Sequence, residues 1–247
     1  MGYATSVPRN VAVCITHCAW GPPHALSLAG AAPRRFPPAA RSGRGRFRAP
    51  LIGYYQHSMH LILASASPRR AELLASAGFH FDVVPADVDE TPNPAEKPQE
   101  YALRVARNKA VAVGVTRQDP GSVVLGADTV VVAAGEILGK PKDSADARRM
   151  LRLLSGTAHV VLTAVVIKQQ AIERTAVITT RVWFQPLSDS EIAWYVDSGE
   201  PEGKAGAYGI QGRAARFIER IDGSWSNVVG LPVATVYRLL KALDVIY

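Results

Sequence analysis

The run Leu61-Ile62-Leu63-Ala64-Ser65-Ala66-Ser67-Pro68-Arg69-Arg70 decides the fold class. Four apolar residues bounded by small polar ones read as a buried strand. Ser67 is a good N-cap, and Pro68 suits the first helical position because its missing N–H is one of the donors a helix start leaves unpaired. A strand that runs straight into a helix begins an α/β chain. Arg69 and Arg70 then fall in the first turn, where free N–H groups and the positive end of the helix dipole point outward. Helix starts favour Asp or Glu by ~0.3–1 kcal/mol, so two cations there make sense if an anion normally occupies the spot. The alternative is a pair of solvated surface arginines.

Beyond this run the pattern stays regular. The helix ends near Gly78, a second strand covers Phe81 to Val84, and after an acidic loop a helix spans about Pro98 to Val115. A long apolar strand from Val123 to Val132 meets a turn at Ala134-Gly135. A helix follows from Ser144 to Leu154, with Ala147, Met150, Leu151 and Leu154 on one face. Two strand-like runs, His159 to Lys168 and Arg174 to Phe184, suggest a hairpin closed around Gln169-Gln170. A helix after Ser188, a Gly-rich loop to Gln211, a strand pair closing at Asp222-Gly223 and a last helix from about Pro232 complete the pattern. No internal repeat interrupts it, so a single two-lobed α/β unit over 59–247 is expected.

Residues 1–58 differ in kind. They are dominated by Ala, Arg, Pro and Gly, lack a sustained period, and hold both cysteines, Cys14 and Cys18. Disorder is expected there. Two origins fit: a start of translation at Met59, which is preferred, and a transit peptide; Val11 to Trp20 is a poor secretory apolar region because Thr, His and two Cys interrupt it. Of the 28 basic residues seven stand in this leader, with no acidic residue beside them. The other 189 residues therefore hold 21 basic against all 21 acidic, and the chain's net charge of +7 comes from the leader alone. A neutral domain does not suggest clustered phosphate contacts with nucleic acid. Nor does the chain offer the ~18 consecutive apolar residues that span a bilayer. A cytoplasmic enzyme is expected.

Three further positions carry chemistry. On the helix from Pro98, residues Ala102, Val105, Ala106, Lys109 and Val113 share one face, which puts a lysine in mid-stripe. Its stem could snorkel to the edge, but a cleft at that point explains it better. Asp128 is the only charge among the thirteen residues from Gly121 to Ala133, and burial would raise its pKa unless a metal or cation compensates. Glu90, in Asp87-Val88-Asp89-Glu90-Thr91, and Lys140, in Gly139-Lys140-Pro141, are each unremarkable loop charges. With Asp128 they supply what phosphoryl chemistry needs: one or two carboxylates for Mg²⁺ and several cations for a polyphosphate.

These residues resemble the Maf nucleotide pyrophosphatases from Met59 to about Leu243. The resemblance rests on Ser65 to Arg70, Asp89-Glu90-Thr91, Ala106 to Ala110, Gly126-Ala127-Asp128-Thr129, Gly139-Lys140-Pro141, Lys204 to Gly212 and Val229-Gly230-Leu231-Pro232. It implies an α/β fold with an elongated mixed sheet flanked by helices, split by a cleft as in inosine triphosphatase. It also implies hydrolysis of a nucleoside triphosphate to the monophosphate and pyrophosphate, aided by a divalent cation, Mg²⁺ or Mn²⁺. By that resemblance Asp128 is the proton acceptor and shares the metal with Glu90, while Ser67, Arg69, Arg70, Lys109 and Lys140 bind substrate. Arg70 becomes a general phosphate ligand, and a homodimer is the family expectation.

The Ile210-Gln211-Gly212 ending is similar to the branch acting on dTTP and UTP, with Arg69, Thr129 and Gln211 as specificity positions; modified pyrimidine nucleotides would be further substrates. A glutamine amide can accept from N3–H of thymine or uracil and donate to O4, a pattern cytosine cannot match. The alternatives are the sister branch acting on 7-methyl-GTP and a non-enzymatic regulator of septum formation and division.

Overall fold

The structure, a computed structural model, describes residues 60–116 and 121–243. The expectations for the leader 1–58, for Met59 as a start and for Cys14 and Cys18 lie outside these residues.

The described residues begin as the sequence suggests, with β1 (His60–Ala64), α1 (Pro68–Ser76), β2 (Phe81–Val83) and α2 (Pro98–Thr116). Next come β3 (Ser122–Ala133), β4 (Glu136–Leu138) and α3 (Ser144–Leu154). The long strands β5 (Ala158–Gln169) and β6 (Ile172–Phe184) lead to α4 (Asp189–Asp197), β7 (Ile218–Asp222), α5 (Trp225–Val229) and α6 (Val233–Lys241). The seven strands form one mixed sheet in the order β2-β1-β3-β5-β6-β7, with β4 attached to β3. β1 runs parallel to both β2 and β3, and every other pairing is antiparallel.

Two local expectations need correction, and one strand was not foreseen. The hairpin β5–β6 closes one residue later than expected, on Gln170 and Ala171, because Gln169 still pairs with Ile172 and Gln170 takes the positive φ of 51°. The turn at Ala134-Gly135 is followed by a short strand that periodicity does not reveal. Both turn residues have positive φ, 48° and 81°, the twist a two-residue hairpin requires, so the chain folds straight back as β4. No strand pair closes at Asp222-Gly223. β7 pairs with β6 instead, and Ser224 caps the short helix α5 by accepting from the N–H of Asn227.

Strand alternation sorts the core. Ile62, Ala64, Val124 and Val130 face α2, where Ala102, Val105 and Ala106 meet them. Leu61, Leu63, Val123, Leu125 and Ala127 face the other way, onto Leu73 and Leu74 of α1 and Val236 and Leu240 of α6. A third cluster joins Met150, Leu151 and Leu154 of α3 to Val182, Phe184, Tyr195 and Phe217. Fully burying a leucine is worth ~1.5–3 kcal/mol, so these apolar faces anchor the helices to the sheet.

The position of the site follows from one break in the ladder. β1 stops at Ala64, opposite Gly126, and β4 first pairs at Val131, so residues 127–130 of β3 have no strand on that edge. The helix α1 begins just past the end of β1. Loss of a strand neighbour beside the carboxyl end of a parallel strand is where open α/β sheets hold ligands.

Candidate active site

Gly126, Asp128 and Val130 share the β3 face that looks at α2, and Gly126 lets the helix approach. A Cβ there would lie 2.3 Å from the Ala106 carbonyl. This closeness brings Lys109 onto Asp128. Both are 7% exposed, and Nζ of Lys109 sits 2.8 Å from the Asp128 carboxylate and 2.6 Å from that of Glu90. The apolar stripe thus carries its lysine into the cleft, against two carboxylates and with little of it exposed.

Burial raises the Asp128 pKa above the ordinary carboxylate value, and the charges of Lys109 and Arg70 only partly oppose it. For Glu90 burial also acts upward, but the bond and charge of Lys109, helped by Lys140, outweigh it and the pKa falls. The two carboxylates are therefore driven apart, Asp128 towards proton acceptance and Glu90 towards permanent charge. Glu90 is held from behind: its C=O takes the Tyr101 hydroxyl at 2.8 Å, and Arg104 ties the neighbouring Thr91 C=O at 3.0 Å.

The anion-binding turn is built differently from its sequence reading. Ser67 stands at the N-cap of α1 and Pro68 opens the helix, but the Ser67 side chain makes no cap bond. Ser65 Oγ accepts from the Ser67 N–H at 3.2 Å instead, because its buried position just after β1 faces the turn. The first-turn N–H groups of α1 thus have no side-chain cap at the cleft.

Arg70 is held mostly by the protein itself. Expected as a general phosphate ligand, its buried guanidinium points inward: Nε donates to Gly230 C=O at 2.8 Å, Nη1 to Ala127 C=O at 2.8 Å and Ser65 Oγ at 3.1 Å, and Nη2 to Thr129 Oγ1 at 3.1 Å. Ala127 lies on the unpaired edge of β3, so Arg70 satisfies a carbonyl that a strand would otherwise take. One N–H of the five remains for a ligand.

Arg69 is half-buried and makes no hydrogen bond with a described residue. Burial lowers its pKa, and its charge, after burial, lowers that of Lys204. Arg69 and Lys204 both line the cleft, near enough for each to feel the other's charge. Lys140 is largely exposed and reaches Glu90 at 3.6 Å. The Thr129 hydroxyl lies between Gly230 C=O at 3.2 Å and Thr163 Oγ1 at 3.0 Å. Gln211 stands exposed at the rim and makes no hydrogen bond with a described residue.

Every expected site residue lines one cleft of about 710 Å³, within the ~300–1,000 Å³ usual for ligand sites. Five basic and three acidic side chains line it, an excess of two positive charges. Among the described residues no group of three or more His, Cys, Asp or Glu is placed to hold a metal by itself. Two carboxylates on one cleft nevertheless fit Mg²⁺ chemistry, which takes one or two protein carboxylates and completes its shell with phosphate oxygens and water. Residue patterns missed Tyr101, Tyr195 and Glu200 as supports of the site. Only the Gly199-Glu200-Pro201 run, just ahead of the Gly-rich loop, marked the last of these.

The family model described as "Maf-like protein" matches residues 60–243. A dTTP/UTP pyrophosphatase of Anaeromyxobacter dehalogenans strain 2CP-1 is 56% identical over 185 residues, 73% of this chain and 92% of that relative. A dTTP/UTP pyrophosphatase of Geobacter sulfurreducens is 52% identical over 187 residues, 74% of this chain and 96% of that one. The solved dITP/XTP pyrophosphatase of Mycobacterium abscessus is 15% identical, covers 75% of this chain and 94% of that structure, and superposes with a TM-score of 0.35, too loosely to carry weight.

Proposed function

Since the chain belongs to the family of Maf-like proteins, we propose that it hydrolyses dTTP and UTP between the α and β phosphates, releasing pyrophosphate and the nucleoside monophosphate. It is on this reading a hydrolase of acid anhydrides. The observation that carries the mechanism is the buried Lys109 ammonium set between Asp128 and Glu90 in a cationic cleft.

Asp128 is the general base. Burial keeps its carboxylate more basic than an exposed Asp, and a water beside it loses a proton to it as the water oxygen attacks the phosphorus. Lys109 bridges both carboxylates in the free protein, offsetting one of their two charges, and is the cation best placed to meet the phosphates. Arg69, Lys140, Ser67 and the uncapped N–H groups of α1 bind the polyphosphate, where charge builds on its oxygens. A divalent cation, Mg²⁺ or Mn²⁺, would be held by Glu90 and Asp128 and supplies charge neutralisation on the polyphosphate. Gln211 reads the base, with Thr129 and Arg69 shaping its pocket. The catalytic domain is 59–247, preceded by the leader 1–58, and it acts as a homodimer in the cytoplasm without a nucleic-acid partner.

A panel of nucleoside triphosphates with Mg²⁺ or Mn²⁺ and product identification tests this. Pyrophosphate from dTTP and UTP is expected, with kcat rising through an acid limb above the ordinary Asp value of ~3.9, since Asp128 must be ionised to accept a proton. Asp128→Asn should lose on the order of 10³-fold in kcat. Inorganic phosphate as product, or an Asp128→Asn enzyme that keeps most of its rate, would overturn the reading.

A further inference from the structure

Gln211 has no hydrogen bond of its own to orient it among the described residues, so the direction of its amide is inherited from the backbone of the turn Gly209 to Gly212. That turn is closed by its own bond, from the Gly212 N–H to the Gly209 C=O at 3.1 Å. Ile210 packs the turn against the core, and two side chains, Glu200 and Tyr195, hold its backbone by hydrogen bonds. Glu200 Oε2 accepts from the Arg213 N–H at 2.9 Å, and Oε1 accepts from the Ala214 N–H at 3.4 Å and from the Tyr195 hydroxyl at 3.0 Å. The same hydroxyl accepts from the Gly209 N–H at 3.3 Å. Both ends of the turn therefore meet at the Tyr195–Glu200 pair.

The fit around this carboxylate is close. A Cβ on Gly212 would lie 2.4 Å from Glu200 Oε1, so the turn reaches the carboxylate only because residue 212 has no side chain. Glu200 is held in turn by Lys204, whose Nζ donates to its backbone C=O. Tyr195 is fully buried in α4, packed edge-on against Phe217, and burial holds its hydroxyl pKa well up, so it stays a neutral donor. A rigid core tyrosine thus aims the carboxylate, and the carboxylate aims the turn.

We propose that Glu200, with Tyr195, is a positioning residue for base selection: it fixes the turn, and through the turn the angle at which the Gln211 amide meets the nucleobase. The proposal rests on the reading of Gln211 as the base-contacting residue. Glu200 itself does not line the cleft. Replacing its carboxylate by an amide turns an NH₂ group towards backbone N–H donors, so the turn loses an anchor while side-chain size is kept.

The test compares wild type, Glu200→Gln, Tyr195→Phe and Gln211→Ala, with each of the first two also combined with Gln211→Ala. The readout is the ratio of kcat/KM between the triphosphates that wild type handles best and worst, whichever bases these are. Glu200→Gln is expected to reduce that ratio about tenfold, mainly through KM of the preferred triphosphate, because a hydrogen-bonding site discriminates only while its groups are aligned. Tyr195→Phe, which removes only a hydroxyl, should shift the ratio in the same direction. In the Gln211→Ala background neither change should alter it further. Unchanged ratios in both variants, equal loss on all bases, or effects that add fully to Gln211→Ala would overturn the proposal. Loss of a ratio that favours another base supports it while refuting dTTP and UTP as substrates. A wild type with no base preference overturns both.

Discussion

Of the five N–H donors on the Arg70 guanidinium, four are given to protein oxygens, and two of these are main-chain carbonyls in buried bonds. Removing the side chain leaves the Ala127 and Gly230 carbonyls without that partner, at ~1–3 kcal/mol for each acceptor. Arg70→Ala is therefore expected to destabilise the protein by about 3 kcal/mol, roughly 8 °C in Tm, besides weakening all triphosphates alike. Arg70→Lys should recover little, since an ammonium cannot span the three directions of a planar fork. A thermal melt beside KM values separates the roles: unchanged Tm with raised KM would mean that Arg70 is a ligand and no tie. That Arg70 stands at a cleft was legible in the Ser-Pro-Arg-Arg run. The direction of its guanidinium was not, because its acceptor at Gly230 lies 160 residues away in the chain.

Among the elements, β3 and α2 make the site together, and Gly126 is the point where they touch. A Cβ on residue 126 would also come within 2.9 Å of Ala110, so the helix must retreat by a fraction of an ångström or more. Lys109 lies between Ala106 and Ala110 on that helix, so the ammonium moves with it. Gly126→Ala should cost ~1–3 kcal/mol in stability and about tenfold or more in kcat, read from urea unfolding and steady-state rates. A stable Gly126→Ala enzyme with kcat within about twofold of wild type would sink this account of the β3–α2 contact. The amphipathic face of α2 and the lone charge on β3 were legible, because period and composition are local properties. β4 was hidden: three residues are too few for a period, and their strand character comes from pairing with β3.

For the whole molecule, a buried histidine behind the cleft-lining Tyr208 adds acid sensitivity between pH 7.5 and 5. His159 is 2% exposed, packs edge-on against Phe184 and Tyr208, and shares a 2.8 Å bond with the Tyr208 hydroxyl, while its Nδ1 is buried without a partner. Burial pushes its pKa down to about 4. Between that value and the ordinary ~6.5 the unfolded chain binds a proton that the folded chain refuses. The contribution is thus complete above pH ~6.5 and erodes as pH falls towards 4, by about 2 kcal/mol between pH 7.5 and 5. Urea midpoints at these two pH values should move by this amount in wild type and by clearly less in His159→Gln; equal shifts in both would assign the acid sensitivity to other groups.

Period, composition and charge isolation are carried by neighbours in the chain. They were enough for an α/β alternation, for the inward faces of α2 and α3, and for a buried Lys109 and Asp128 that needed each other or a ligand. The open edge of β3 depends on where two other strands stop, the inward turn of Arg70 on a carbonyl left unpaired by that gap, and the hold of Glu200 on the Gln211 turn on a buried tyrosine of α4. These are relations between segments distant in sequence, and only the packed sheet, where burial makes every unpaired polar group costly, selects them.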